Sequence, residues 1–166
     1  MIHEFEIKTI IMFDCTSSET HDIGTYWPNE GEVRYGPFMV TLTNEEECRC
    51  YTERTLSLSF NGQEYDRTVR QFQFKNWAEN SDVPGSTESL LQLLEAVEAW
   101  KKERDAKPVV VHCLNGAHKS GLYCVMSTVV ERLKVERDVA ITQTIKRMRS
   151  IRQQIIPNFV KCYLFF

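Results

Sequence analysis

The sequence predicts one α/β or α+β domain spanning residues 1–166. Three observations point there. The run Pro108-Val109-Val110-Val111-His112 reads as a central buried strand. Leu56, Leu58 and Phe60 alternate with serines, the period of a half-buried strand. Leu90, Leu94 and Val97 recur at the helical period. Both periods occur in one chain of 166 residues with no linker or internal repeat, and about 100–200 residues make one domain.

The elements follow in order. Lys8 to Phe13 is a β-branched run, read as a buried strand, and the polar stretch from Asp14 to Asp22 as a loop. Trp27-Pro28-Asn29-Glu30-Gly31 signals a turn, and Phe38 to Leu42 a strand. After the Leu56–Phe60 strand, Asn61-Gly62 tolerates positive φ, a hairpin signal. Its partner is Val69 to Phe74, with Phe72 and Phe74 on one face. Pro84-Gly85-Ser86 opens a helix ending near Trp100, with Ser86 as N-cap. A second helix is expected from Ser120 to Leu133, striped by Val125, Val129 and Leu133. Asp138 is the expected cap of a last helix carrying Ile141, Ile145 and Met148.

Composition narrows the function classes. Hydrophobic residues at 42% supply a core, which excludes disorder as the main state. No apolar run reaches the ~20 residues of a membrane span, and no signal peptide is visible at Met1-Ile2-His3-Glu4. A net charge of −3 argues against a general nucleic-acid binder. The tail is basic, with 8 Lys/Arg against 3 Asp/Glu over 131–166, and could meet anions or form a solvated helix face. The cysteines (Cys15, Cys48, Cys50, Cys113, Cys124, Cys162) form no Cys-x2-Cys pair, and His3, His21, His112 and His118 lack ligand spacing. No metal, nucleotide or flavin cofactor is expected, and reduced thiols in a cytoplasmic setting are the default.

The chemistry concentrates in Val109-Val110-Val111-His112-Cys113-Leu114-Asn115-Gly116-Ala117-His118-Lys119-Ser120-Gly121. A cysteine ends a strand, a short loop follows, and a helix begins. Helix N-termini and successive loop N–H groups attract anions, and a thiol placed there has a lowered pKa. Most free cysteines are inert and buried. The strand–loop–helix setting, with Gly116 and Gly121, favours instead a nucleophilic thiolate beneath a phosphate-sized oxyanion.

At these residues the chain resembles the protein tyrosine phosphatase family, whose signature is His-Cys-x5-Arg-Ser/Thr-Gly. The chain has His112-Cys113-x5-Lys119-Ser120-Gly121. Tyr26-Trp27-Pro28 and Tyr35-Gly36-Pro37-Phe38 resemble the family's Tyr-Trp-Pro…Gly stretch. Gln71 to Glu79 resembles the strand leading into its Trp-Pro-Asp acid loop, and Arg149-Ser150-Ile151-Arg152-Gln153 its Arg-Ser-x-Arg run. Cys113-Leu114-Asn115-Gly116 and the lengthened Trp77–Pro84 loop look most like the second, membrane-distal domain of receptor-type members. The resemblance implies a highly twisted mixed sheet flanked by helices, with the N-terminal helical part missing and the chain stopping inside its last helix.

The resemblance also implies roles. Cys113 would attack phosphorus, residues Cys113 to Lys119 would cradle the phosphate, Ser120 would support the leaving thiolate, Glu79 would protonate the leaving oxygen, and His112 of the signature would join them as a catalytic residue. Lys119 replaces the family's arginine and loses its bidentate fork. Ala78-Glu79 replaces Pro-Asp. His118 replaces a loop glycine, and Pro157 and Lys161 replace two water-positioning glutamines. Together these imply a catalytically impaired regulatory pseudophosphatase, with a slow phosphotyrosine hydrolase, or a redox-sensing or interaction module, as alternatives. The implied partners are a phosphotyrosine peptide or similar anion, and another phosphatase domain. The implied location is cytoplasmic, as the intracellular part of a membrane receptor.

Overall fold

The computed structural model describes residues 1–14, 24–61, 67–102 and 107–156. Six strands form one mixed sheet: β1 (Thr9–Met12), β2 (Glu32–Tyr35), β3 (Phe38–Glu47), β4 (Tyr51–Phe60), β5 (Arg67–Phe74) and β6 (Val109–His112). Three helices accompany them: α1 (Thr87–Lys102), α2 (Lys119–Glu136) and α3 (Ile141–Ile151). The spatial order is β2-β3-β4-β5-β1-β6. β1 runs parallel to β5 and β6, whereas β2 to β5 form an antiparallel meander.

The pleat of β1 divides the core. Ile11 and the adjoining Phe13 meet Phe72 and Phe74 of β5, Trp77, and the apolar stripes of α1 and α2. Ile10 and Met12 face the other way, with Ile7, Trp27, Leu56 and Val69. Leu90, Leu93, Leu94, Val97 and Trp100 bury one face of α1. Ser86 caps this helix as expected, its Oγ accepting from the Ser89 N–H at 3.2 Å.

Several expectations need correction. β6 is an edge strand among the described residues, paired only with β1, and its four residues are half-buried. A valine run reports apolar faces, not the number of neighbouring strands. Leu133 is 48% exposed, so the stripe of α2 ends at Val129. Asp138 does not cap α3; Ala140 holds that position without a side-chain bond, and Asp138 accepts instead from Arg132 Nη2 at 3.3 Å. The Phe38 strand continues to Glu47, and β2, which carries little apolar patterning, pairs with it across Gly36-Pro37. Gly36 has φ of 59°, which this two-residue turn requires. Asn61 has φ of 52°, and β4 and β5 pair antiparallel on either side of it, as the hairpin signal predicts; residues 62–66 between them lie outside the described residues. Gly62, Cys15, His21, Pro157, Lys161, Cys162 and the expected loop after Asp14 lie outside the described residues.

Candidate active site

β1 and β6 are parallel and in register, Met12 opposite His112, so the chain leaves both at the same end of the sheet. The Phe13 N–H donates to the His112 carbonyl at 3.1 Å, and the Leu114 N–H donates to Asp14 Oδ1 at 2.6 Å. Cys113 thus follows a strand end, and α2 begins six residues later at Lys119.

Cys113 is 9% exposed. Its Sγ lies 3.2 Å from Ser120 Oγ and accepts from the Ser120 N–H at 3.5 Å. The loop turns at Gly116, where φ is 60° and the N–H returns to the Cys113 carbonyl at 3.0 Å. The next two amides, Ala117 and His118, both donate to Asn115 Oδ1, at 3.0 and 2.9 Å. That oxygen is 3.5 Å from Sγ. Loop amides therefore converge beside the sulfur, and a side chain of the same loop takes up two of them. His118 has φ of −73°, so it occupies its position without the strain a left-handed residue would carry.

Two contacts hold the loop from outside. Arg152 Nη2 donates to the Asn115 carbonyl at 2.9 Å. Gly121 faces Ile155, whose Cγ1 would lie 2.9 Å from any Cβ added there. The glycine of the Ser-Gly pair thus admits the segment after α3, and the Arg149–Gln153 motif supplies the arginine that fixes the loop.

His112 belongs to a buried hydrogen-bond chain. Arg54 Nη1 donates to Gln71 Oε1 at 3.1 Å, and Gln71 Nε2 donates to Tyr26 Oη at 2.5 Å. Tyr26 Oη lies 3.1 Å from His112 Nε2. Burial, above all, pushes the Tyr26 hydroxyl up to about 12. On the other side of the ring, His112 Nδ1 lies 3.6 Å from Asp14 Oδ2. This explains the Tyr of Tyr-Trp-Pro and the Gln of Gln71-Phe72. Asp14, buried at this end of the chain, had looked like the start of a polar loop. One signal marked it: it follows directly on a buried strand.

Glu79 lines one cavity of about 250 Å³ with Cys113, Asn115, His118, Lys119, Asp14 and Asp82. The loop that carries Glu79 is pinned. Trp77 is buried, its Nε1 donating to the Ser81 carbonyl at 3.0 Å, and the Gly85 N–H donates to the Asn76 carbonyl at 2.8 Å. Lys119 Nζ donates to the Trp77 carbonyl at 3.2 Å and reaches the Phe13 carbonyl at 3.5 Å. Behind the site, burial pushes the Cys124 thiol up, with Cys113 adding to the shift. No group of His, Cys, Asp or Glu among the described residues could hold a metal ion.

Residues 1–165 match the family model described as protein-tyrosine phosphatase. The chain belongs to the protein-tyrosine phosphatase family. It is 33% identical over 167 residues to receptor-type tyrosine-protein phosphatase alpha of Homo sapiens, covering 98% of this chain and 21% of that protein. It is 34% identical over 159 residues to receptor-type tyrosine-protein phosphatase F of Rattus norvegicus, covering 95% of this chain and 8% of the relative. Receptor-type tyrosine-protein phosphatase epsilon of Homo sapiens is 28% identical over 172 residues, covering 98% and 24%. The chain thus spans about a fifth or less of the first two relatives. No described helix is long and apolar enough to cross a membrane.

Proposed function

We propose that this phosphatase domain binds phosphotyrosine-like dianions at Cys113 but is catalytically impaired, and that it regulates a receptor-type protein as a second, cytoplasmic domain. One observation carries the reading. The cation at position 119 is an ammonium directed to the Trp77 and Phe13 carbonyls. A guanidinium would grip two phosphate oxygens in parallel; an ammonium is a point charge without that fork. Two further features agree. Glu79 follows Ala78 on its loop, one methylene longer than the family's aspartate. Asp14, Glu79 and Asp82 line the same cavity, so their carboxylates oppose further negative charge building up on a transferring phosphoryl group, whereas Lys119 in the same lining attracts the bound anion.

Chemically, Cys113 Sγ would form a bond to phosphorus as the bond to the tyrosine oxygen breaks, with a proton passing from the Glu79 carboxyl to that oxygen. Water would then attack phosphorus as the phosphorus–sulfur bond breaks, its proton passing to the Glu79 carboxylate and Ser120 Oγ supporting the departing thiolate. Loss of well-placed general acid help costs roughly 100–10,000-fold. Turnover of an aryl phosphate by the purified chain tests the reading: the wild type should match Cys113→Ser. A wild-type rate about tenfold or more above that background would overturn it, since each ~1.4 kcal/mol of transition-state stabilisation is tenfold.

The 3.2 Å contact between Cys113 Sγ and Ser120 Oγ favours a second reading, a slow hydrolase. It expects a phospho-cysteine trapped on rapid quenching, and a rate raised about 100-fold by Lys119→Arg with Glu79→Asp. Absence of both removes it.

A further inference from the structure

The side chain of Asn115 stands where an oxyanion would. Its Oδ1 accepts from the Ala117 and His118 amides at 3.0 and 2.9 Å and lies 3.5 Å from Cys113 Sγ. A phosphorus within attack distance of that sulfur, about 3–3.5 Å, would need its own oxygens in the same volume and on the same donors. The two occupants exclude each other. The neighbouring Leu114 amide is also taken, by Asp14 Oδ1 at 2.6 Å. The backbone around Asn115 is fixed by Arg152 on its carbonyl and by the turn at Gly116. The residue is nonetheless exposed, so its side chain has room to leave while the backbone stays.

We propose that Asn115 is an intramolecular gate on oxyanion binding: its amide oxygen holds the two loop N–H groups that a tetrahedral dianion needs, and an anion enters only when that side chain swings out. The inference rests on the reading of the pocket as a phosphate-like site and deepens it by naming what sets its affinity. The cost of entry is the pair of hydrogen bonds surrendered by Asn115. Removing the side-chain oxygen leaves the amides open to the anion. Replacing the amide by a carboxylate keeps the acceptor and adds repulsion.

The test is calorimetric titration of the full chain with tungstate, a tetrahedral dianion inert toward thiols. Amide shifts of Ala117 and His118 are followed by NMR in parallel. Asn115→Ala should bind tungstate about tenfold more tightly than wild type, the equivalent of one net hydrogen bond, and Asn115→Asp should bind more weakly than wild type. On saturation, the Ala117 and His118 amides should shift in Asn115→Ala. Equal, measurable affinity in wild type and Asn115→Ala overturns the gate and leaves the anion-site reading standing. No binding in any form, with both amides unmoved, overturns both. Should Asn115→Ala fail to fold, Asn115→Asp decides: affinity equal to or above wild type overturns the gate.

Discussion

Lysine and arginine carry one charge each, and position 119 turns on everything else they carry. A planar fork orders a loop and an anion together; an ammonium on a flexible stem satisfies itself on the nearest carbonyls, here those of Trp77 and Phe13. The same economy of contacts governs Gly121. A methyl group there would meet Ile155 Cγ1 at 2.9 Å and Cγ2 at 3.1 Å, and both Ile155 and Gly121 are buried. Overpacking of this kind costs about 1–3 kcal/mol. Gly121→Ala should therefore lower the unfolding free energy from urea denaturation by that amount, moving the midpoint down, and Gly121→Ala with Ile155→Val should recover part of it. An unchanged midpoint in the single variant would show that the segment after α3 yields freely.

At the scale of elements, the site is made by a pair of parallel strands and the start of a helix. β1 and β6 deliver Asp14 and Cys113 to one end, and α2, whose N-cap His118 makes no side-chain bond, gives its Ser120 amide to Cys113 Sγ. α1 is treated differently. Ser86 caps it, and Glu88 in its first turn is held low by the hydrogen bond from Ser86 and by its own backbone. Ser86→Ala should reduce stability by about 1 kcal/mol in chemical denaturation, and Ser86→Thr, which keeps both the acceptor for Ser89 and the donor for Glu88, should stay closer to wild type. An alanine variant as stable as wild type would mean that tertiary packing of Leu90, Leu93 and Leu94 alone fixes the start of α1. The loop that carries Glu79 lies between the Trp77 anchor and this cap.

Across the molecule, the sheet carries an unusual load of buried polar groups. Arg54 reaches Gln71 and Gln73, ion-pairs with Glu45, and lies over the Trp27 ring at 4.6 Å. Such a network is stable only while every member is satisfied. Its Tyr26 hydroxyl gives a pH signature. The unfolded chain loses this proton near the ordinary value of 10, the folded chain only near about 12. Between those values the unfolded state binds fewer protons, so stability falls as pH rises. Two units correspond to about 3 kcal/mol at most. Tyr51 and Tyr123 are raised by burial too, so the fall should be steeper overall. Tyr26→Phe should flatten the decline in thermal midpoint from pH 9 to 11 relative to wild type. Parallel curves would show that Tyr26 ionises as freely in the fold as outside it.

Local chemistry was legible wherever a residue's neighbours in sequence are its neighbours in space. The strand–Cys113–loop–helix order, the Ser86 cap and the stripe of α1 all depend on contacts within a few residues, and the motif set was enough to identify the family. The sequence also exposed the exchange of a forked cation for Lys119. What lay beyond it depends on long-range pairing. That Asp14 would receive an amide from a loop 100 positions away, that Arg54 would connect through Gln71 and Tyr26 to His112, and that Arg152 would brace Asn115 are consequences of which strands lie side by side. β6 is an edge strand among the described residues for the same reason: apolar patterning records burial, whereas strand order is decided by tertiary packing. Asn115 is legible as a member of the Cys113–Lys119 loop, but the side-chain rotamer, not the residue type, decides whether its oxygen turns inward onto the amides or outward to water.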